Sequence, residues 1–486
     1  MADETPRPRP RRAPRSGRPI AGEALRRTRH ALQPSGPPTE GIPVVWTGPD
    51  GVEQDTARSV VDFAMRVSAA LLATGAPASD VVATALLLSR TYGLRGVHVD
   101  VTFSSVAISY HRGPLADPIT LLRTVRSRSS DFQRLDALRG LVVELSRDPV
   151  PVPEARRRFD AVIAMPYPYR RWVTTLATGV LGASAAAGFG GGPLIVALTL
   201  VAAALIAVTQ HKLAGYGVES FFAQAVAAAV PTVLAVLVAV LQSRTGWLDG
   251  VVPSVLVASA VVVLLAGLSA VGAAQDAIEG FYVTAGARVF EVLVLTLGIV
   301  VGITVVLALS HKLGVSLSIS DAPAPSATGT ALAVGTAMVS AVAFGVSNYS
   351  GVRTVVVAGL AGGVGWLVYE AVRGLGAGRP SSSAVAAFVV GVTAQLAARR
   401  LKIAALAVTT SSIVALLPGR TLYQGIFQVV SDSAGPGFYQ GLSTLFEAAG
   451  VGIGLAAGVS FGTYVARLVQ DSRKGRRRRR APGARA

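Results

Sequence analysis

The chain has 486 residues, 51% hydrophobic and only 15% charged, with a mean hydropathy of +0.53; charge this sparse among long apolar runs excludes an ordinary soluble protein. The formal net charge is +18, much of it at the two ends, and the absence of cysteine excludes disulfides and thiolate metal sites. Five scattered histidines (His30, His98, His111, His211 and His311) form no metal-binding pair on a helix, so neither a metal nor a cofactor is expected.

Residues 1–52 are rich in Pro, Arg and Gly, with Arg7, Arg9, Arg11, Arg12, Arg15 and Arg18 set among prolines. Residues 471–486 carry Arg473, Lys474 and Arg476 to Arg480. Both read as disordered basic tails. No aromatic residues interleave with these arginines, so anionic lipid rather than nucleic acid is the expected partner. The basic opening leads into polar, Pro-rich sequence, which is not the pattern of a signal peptide.

Residues 53–170 read as a soluble cytoplasmic α+β domain. ARSVVDFAMRVSAALLATG (Ala57 to Gly75) has helical apolar spacing and stops at glycine. PASDVVATALLLSRTYGL (Pro77 to Leu94) predicts a second helix with Ser79 and Asp80 as cap candidates. Alternation between Gly96 and Gly113 predicts two strands, with His98 and Asp100 on one face. Ser130 to Pro149 and the following PEARRRFDAVI predict two further helices. Neither a glycine-rich phosphate loop nor a nucleophile elbow occurs, and no catalytic residue is assigned.

Beyond Arg171 the sequence turns apolar. Ten stretches approach the roughly 20 residues a helix needs to cross a bilayer: 172–190, 193–210, 221–241, 251–272, 288–309, 328–346, 353–372, 382–398, 401–417 and 440–466. The expected fold is an all-α polytopic membrane protein of about ten transmembrane helices behind the α+β domain. An even count with basic flanks at both ends places both termini in the cytoplasm and the chain in the cytoplasmic membrane. A polar linker, 313–329, separates 171–312 from 330–470, with five stretches on each side. Five is odd, so two related halves would insert in opposite directions, an inverted repeat.

The last stretch of each half supports that division. FEVLVLTLGIVVG (Phe290 to Gly302) and FEAAGVGIGLAAG (Phe446 to Gly458) share one spacing: Glu291 with Gly298 and Gly302, Glu447 with Gly454 and Gly458. Glycines at that spacing make a face for close helix approach. A carboxylate beside that face can hold a proton or a substrate ammonium near a pseudo-two-fold axis; the rival reading is an interfacial acid reaching to headgroups. AAQDAIEGF (Ala273 to Phe281) and PGRTLYQGI (Pro418 to Ile426) are the matching loops, which makes Pro418 and Gly419 gating candidates and Asp276 and Glu279 candidate gate acids. Thr409 and Ser412, within the run TTSS, either bond backbone carbonyls or line a path. Gln224, Asn348 and Gln395 are expected to tie helices together.

From Ala57 to Val469 the chain resembles the threonine/serine exporter family of bacterial inner-membrane proteins. The resemblance lies in LLATGAPASDVVATALLLSRTYGLRGVHVDVTFSSVAIS, the two five-stretch halves, and LLPGRTLYQGIF (Leu416 to Phe427). It implies a secondary transporter that exports L-threonine and L-serine, driven by the proton motive force, so that its partners are those amino acids and protons. Split members of the family associated with dicarboxylate export give an alternative substrate class, such as succinate. Where the second half has Pro418-Gly419 the first has Gly272-Ala273, so the two gates need not be equivalent. Two rivals place the function in residues 53–170: a membrane-anchored hydrolase using His98, Asp100 or His111, or a regulatory module. Oligomeric state is open, a homo-oligomer included.

Overall fold

A computed structural model describes residues 53–479 apart from 112–116, 126–127, 129, 246–251, 265–266, 313, 315–328, 402 and 432–434. The expected N-terminal tail, most of the linker and residues 480–486 of the C-terminal tail lie outside the described residues.

The first part packs four helices on a three-stranded sheet. Helix α1 (Gln54–Ala73) buries Val60, Val61, Ala64, Val67, Ser68, Leu71 and Leu72, the recurrence of a face that meets a core. It ends where Gly75 turns to φ +89° and Ala76 N bonds back to Leu71 O at 3.0 Å. Helix α2 (Ala78–Thr91) follows after four residues, and strands β1 (Val97–Val101) and β2 (Ser105–Tyr110) form an antiparallel hairpin pairing Val97 with Tyr110 and Val101 with Val106. A third strand, β3 (Ile119–Thr124), pairs antiparallel with β2, Ser105 opposite Thr124. It was not among the two predicted strands because its residues are half-exposed or exposed on both faces, which erases the alternation. Helix α3 (Phe132–Arg147) is capped by Asp131, whose side chain accepts from Arg134 N, and α4 (Val152–Ile163) completes the layer. Phe63, Leu72, Leu88, Ile108, Tyr110 and Leu138 share one core.

The apolar part begins with α5 (Arg171–Gly188), α6 (Pro193–Gly215) and α7 (Ser220–Thr245). The fourth expected crossing is not one helix: α8 (Pro253–Val261) stops, and α9 (Gly267–Ile278) resumes after the break. Helix α10 (Tyr282–Lys312) is continuous, as are α11 (Thr330–Ser347), α12 (Val352–Gly374) and α13 (Arg379–Leu401). The ninth expected stretch, 401–417, holds only α14 (Ala405–Ser412) and a 3-10 turn (Val414–Leu416), and α15 (Gly419–Ser431) occupies the residues expected as a loop after it. Helix α16 (Pro436–Arg479) ends the described chain. Among the described residues seven helices are long and apolar enough to cross a membrane: α6, α7, α10 to α13 and α16. On α10 the exposed face reads Leu293, Leu297, Val301, Val305 and Leu309, a leucine/valine row that suits lipid and not water. Every residue of α8 from Ser254 to Val261 is buried, so this helix is apolar all round because protein surrounds it.

The packing partners follow a regular order. Helix α6 lies against α5, α7 and α8; α12 lies against α11, α13 and α14. Helix α10 lies along α7 and α9, and α16 along α13 and α15. The two sets meet where α5 packs on α11 and α9 on α16. The α/β part sits at one end of the apolar part. Ala404 and Ala407 enter its core, Phe281, Phe344 and Leu406 pack against it, and Phe132 N bonds Asn348 O at 3.1 Å.

Candidate functional site

Broken helices free backbone groups, and the structure shows how the two breaks are managed. After α8, Val263 N and Leu264 N bond back to Ala260 O (3.2 Å) and Val261 O (2.8 Å), tightening the end into 3-10 form. The released Leu264 carbonyl accepts from Gln224 Nε2 at 2.5 Å, and Gln224 Oε1 accepts from Gln210 Nε2 at 3.0 Å. Gln224 is therefore a helix tie, as expected, and it serves the break. At the second break Leu417 is extended (φ −62°, ψ 138°) because Pro418 follows and disfavours the helical region before it. Pro418 and Gly419 thus lie at the break itself and start α15. Side chains from the two breaks share one apolar cluster: Val263 from the first, Val414 and Leu417 from the second.

On the α/β side lies a dense charged group. Asp276 is fully buried near the end of α9, its Oδ2 3.1 Å from Arg288 Nε, and Arg288 is itself only 8% exposed. Arg288, the first residue of the expected stretch 288–309, stands well inside α10 because that helix begins six residues earlier. Gly272 faces its guanidinium; a side chain there would collide with Nη1. Asp276 Oδ1 also accepts from Ala78 N at 3.4 Å, at the first residue of α2. The predicted local caps do not cap that helix: Ser79 Oγ donates to Glu279 Oε2 at 2.5 Å, and Asp80 pairs with Arg139. Asp276, 198 residues away in sequence, accepts the helix's first N–H in their place. Burial pushes the Glu279 carboxyl above the usual range, and its bonds from Ser79 and Gln275 pull the other way.

Arg128, beyond β3, joins this group from the α/β part. It donates to Phe103 O and lies 4.1 Å from the Phe103 ring centroid. Burial pulls its guanidinium down to about 10, Arg288 adds repulsion, and Glu291 and Asp276 oppose both. Glu291 therefore belongs to this group, beside the α/β part. Thr284, the third residue of α10, donates to Val101 O at 3.2 Å and fixes the same contact.

Glu447 lies elsewhere. Its Oε1 is 3.6 Å from Arg379 Nε, both side chains are nearly half-exposed, and Arg379 Nη1 donates to Thr421 Oγ1 at 3.3 Å. Arg379 opens α13, whose other end leads into Ala404 and the α/β core. A helix of 23 residues is about 34 Å long. Glu291 and Glu447 thus sit near opposite ends of the apolar part, in two separate charged groups. They do not meet at a common axis: Glu447 pairs with Arg379 at the start of α13, and Glu291 lies with Arg128 on the α/β side.

The glycines behave alike in both helices. A Cβ on Gly298 would come within 2.7 Å of Phe221 O, and one on Gly302 would overlap Ala225 O, both of α7. A Cβ on Gly454 would come within 2.6 Å of Pro380 O, and one on Gly458 would overlap Ala384 O, both of α13. Thr409 and Ser412 spend their hydroxyls on carbonyls: Thr409 on Ala405 O (2.6 Å), Ser412 on Val408 O (2.7 Å) and on Ala358 O of α12 (3.0 Å). Asn348 keeps its amide local, donating to Phe344 O at 2.9 Å.

Comparison with known proteins decides the class. Residues 62–310 match a family described as "Putative threonine/serine exporter", and residues 333–463 one described as "Threonine/Serine exporter, ThrE". The chain belongs to the threonine/serine exporter family. It is 33% identical over 422 residues to a protein of Mycobacterium tuberculosis named "Probable threonine/serine exporter", spanning 86% of this chain and 78% of that one. It is 30% identical over 442 residues to the "Threonine/serine exporter" of Corynebacterium glutamicum, spanning 90% and 88%. No solved structure matches. The family is one of transporters and not of enzymes, and the chain is a multi-pass membrane protein and an amino-acid exporter. The hydrolase alternative falls with that membership; His98 packs edge-on against His111 at 5.2 Å, and both are exposed.

Sequence reasoning about this exporter missed the arginines. Arg128, Arg288 and Arg379 partner the acids it singled out, and the signal was there in Arg288, three residues before Glu291 on one helix face. It also passed over Ser411, between the two hydroxyl residues it chose.

Proposed function

We propose that the chain is a secondary transporter that exports small amino acids, L-threonine and L-serine, across the cytoplasmic membrane, driven by the proton motive force. The observation that carries this is the pair of broken segments, α8/α9 and α14/α15, each fourth in a set of five and in contact with the other. Discontinuous helices in corresponding positions of two halves are where secondary transporters build their substrate and ion sites. The packing order of the helices and the glycine contacts of α10 and α16 support two halves of inverted topology with ten crossings, α5 and the two broken segments included. Both termini and the α/β part then lie in the cytoplasm.

On this reading the two charged groups are stations at the two mouths. At the inner mouth Asp276, Arg288, Glu291 and Arg128 are closed by the α/β part. At the outer mouth the long, half-exposed Arg379–Glu447 pair offers a guanidinium to a substrate carboxylate and a carboxylate to its ammonium. Purified protein in proteoliposomes with an imposed pH gradient tests both steps. Threonine flux that follows the gradient is expected, with a loss of about tenfold or more in Glu447→Gln, in line with about 1.5–3 kcal/mol for a hydrogen bond to a charged group. Flux of succinate instead of threonine would move the substrate to the dicarboxylate class. Flux indifferent to the gradient would remove the proton coupling.

A further inference from the structure

We propose that Ser411, together with Ser350, forms the subsite that recognises the β-hydroxyl of the exported amino acid; this rests on the transport reading above. Four hydroxyl residues, Thr409 to Ser412, close α14 just before its break. Three of them donate to the carbonyl one turn back: Thr409 to Ala405 O (2.6 Å), Thr410 to Leu406 O (2.8 Å) and Ser412 to Val408 O (2.7 Å). Ser411 does not. Its Oγ is buried without a hydrogen-bond partner in a residue that is 0% exposed. Ser350, in the corner between α11 and α12, is 1% exposed, and its Oγ also lacks a partner. Buried hydroxyls are normally satisfied, and two orphans in one corner call for a ligand that completes them.

The two residues border one point. The position a Cβ would take on Gly345 is 3.5 Å from Ser411 Oγ, 3.7 Å from Ser350 Cβ and 3.2 Å from Val355 Cγ2. With no Cβ of its own, Gly345 lets Ser411, Ser350 and Val355 draw close together. Ser350 directly precedes the N-terminus of α12, whose N-cap Gly351 brings no side chain to the first N–H groups. Free N–H groups at a helix start suit a carboxylate. A hydroxyl that both donates and accepts, on a short skeleton that also carries a carboxylate, matches this combination. The corner is one turn deeper than Ala407, which belongs to the α/β core. Tyr169 OH covers it by donating to Ser350 O at 2.9 Å. A solute entering from the α/β side meets this corner before the break in α14.

A site built to pair a substrate hydroxyl rejects the analogue that lacks it, because its own groups stay unpaired. The test is flux of L-threonine against L-2-aminobutyrate, which is threonine without the hydroxyl. Full-length protein in proteoliposomes is compared as wild type, Ser411→Ala and Ser350→Ala. The wild type should favour threonine by roughly tenfold or more. Each substitution should bring the ratio toward one by lowering threonine flux while 2-aminobutyrate flux holds. Ser411→Ala should melt no lower than the wild type, since it removes no hydrogen bond of this conformation. An unchanged ratio in both variants, with wild type carrying threonine, overturns the subsite and leaves the transport reading standing. Equal loss of both solutes in both variants assigns the serines to packing and likewise overturns it. A folded wild type that carries no threonine overturns the transport reading and the subsite together.

Discussion

Asp136 of α3 shows at the scale of one residue how the α/β and apolar parts are joined. Its carboxylate accepts from the Ala404 backbone N–H at the start of α14, and burial outweighs that bond and the nearby Arg139, raising the carboxyl to about 6. The folded protein then keeps a proton on Asp136 up to about pH 6, whereas the unfolded chain loses it near the ordinary value of 3.8. Its contribution is greatest below that ordinary value, declines as pH rises to about 6 and is level above it. Asp136→Asn keeps an acceptor for Ala404 and carries no charge. It should remove this slope and raise stability at neutral pH by about 1–3 kcal/mol, read as the melting temperature of detergent-solubilised protein between pH 4 and 8. Nothing local marks Asp136 in the sequence, where it is one acid on a helix of ordinary amphipathic pattern. Glu291 stood out only because its surroundings were apolar; Arg288 lies three residues before it, and Arg128 joins the group from far away along the chain.

At the scale of elements, the glycine rows were legible in the sequence. Glycines seven and eleven residues past each acid predicted close helix approach, and Gly302 and Gly458 do meet the backbones of α7 and α13. The same rows gave no sign that the fourth and ninth segments are broken. Val262 to Leu264 reads as continuous helix by composition, and only Pro418 marks a stop. The close approach yields a direct prediction. Gly302→Val places a side chain on Ala225 O and should sharply reduce the folded fraction in detergent, measured by size-exclusion recovery and thermal scan. Gly335→Ala, with nothing within 4 Å of its Cβ, should be neutral or stabilise by up to about 1 kcal/mol. Equal tolerance at both positions would contradict the packing.

For the whole molecule, the class was legible from hydropathy alone, while the joint between its two parts was not. That joint rests on contacts such as Ser79–Glu279, Thr284–Val101 and Phe132–Asn348, which pair residues of different parts and leave no periodic trace. It can be probed cleanly because the native chain has no cysteine. In the double variant Ser79→Cys/Glu279→Cys, a short cleavable thiol bridge should stop threonine flux, and cleavage should restore it. Full flux in bridged protein would mean that the α/β part stays docked throughout the cycle. The reciprocal capping also bears on how the chain is made. Helix α2 leaves the ribosome 198 residues ahead of the carboxylate that caps it, and Asp136 likewise waits for Ala404. The α/β layer is thus synthesised first and finished last, because its docking waits for residues of the fourth and ninth segments.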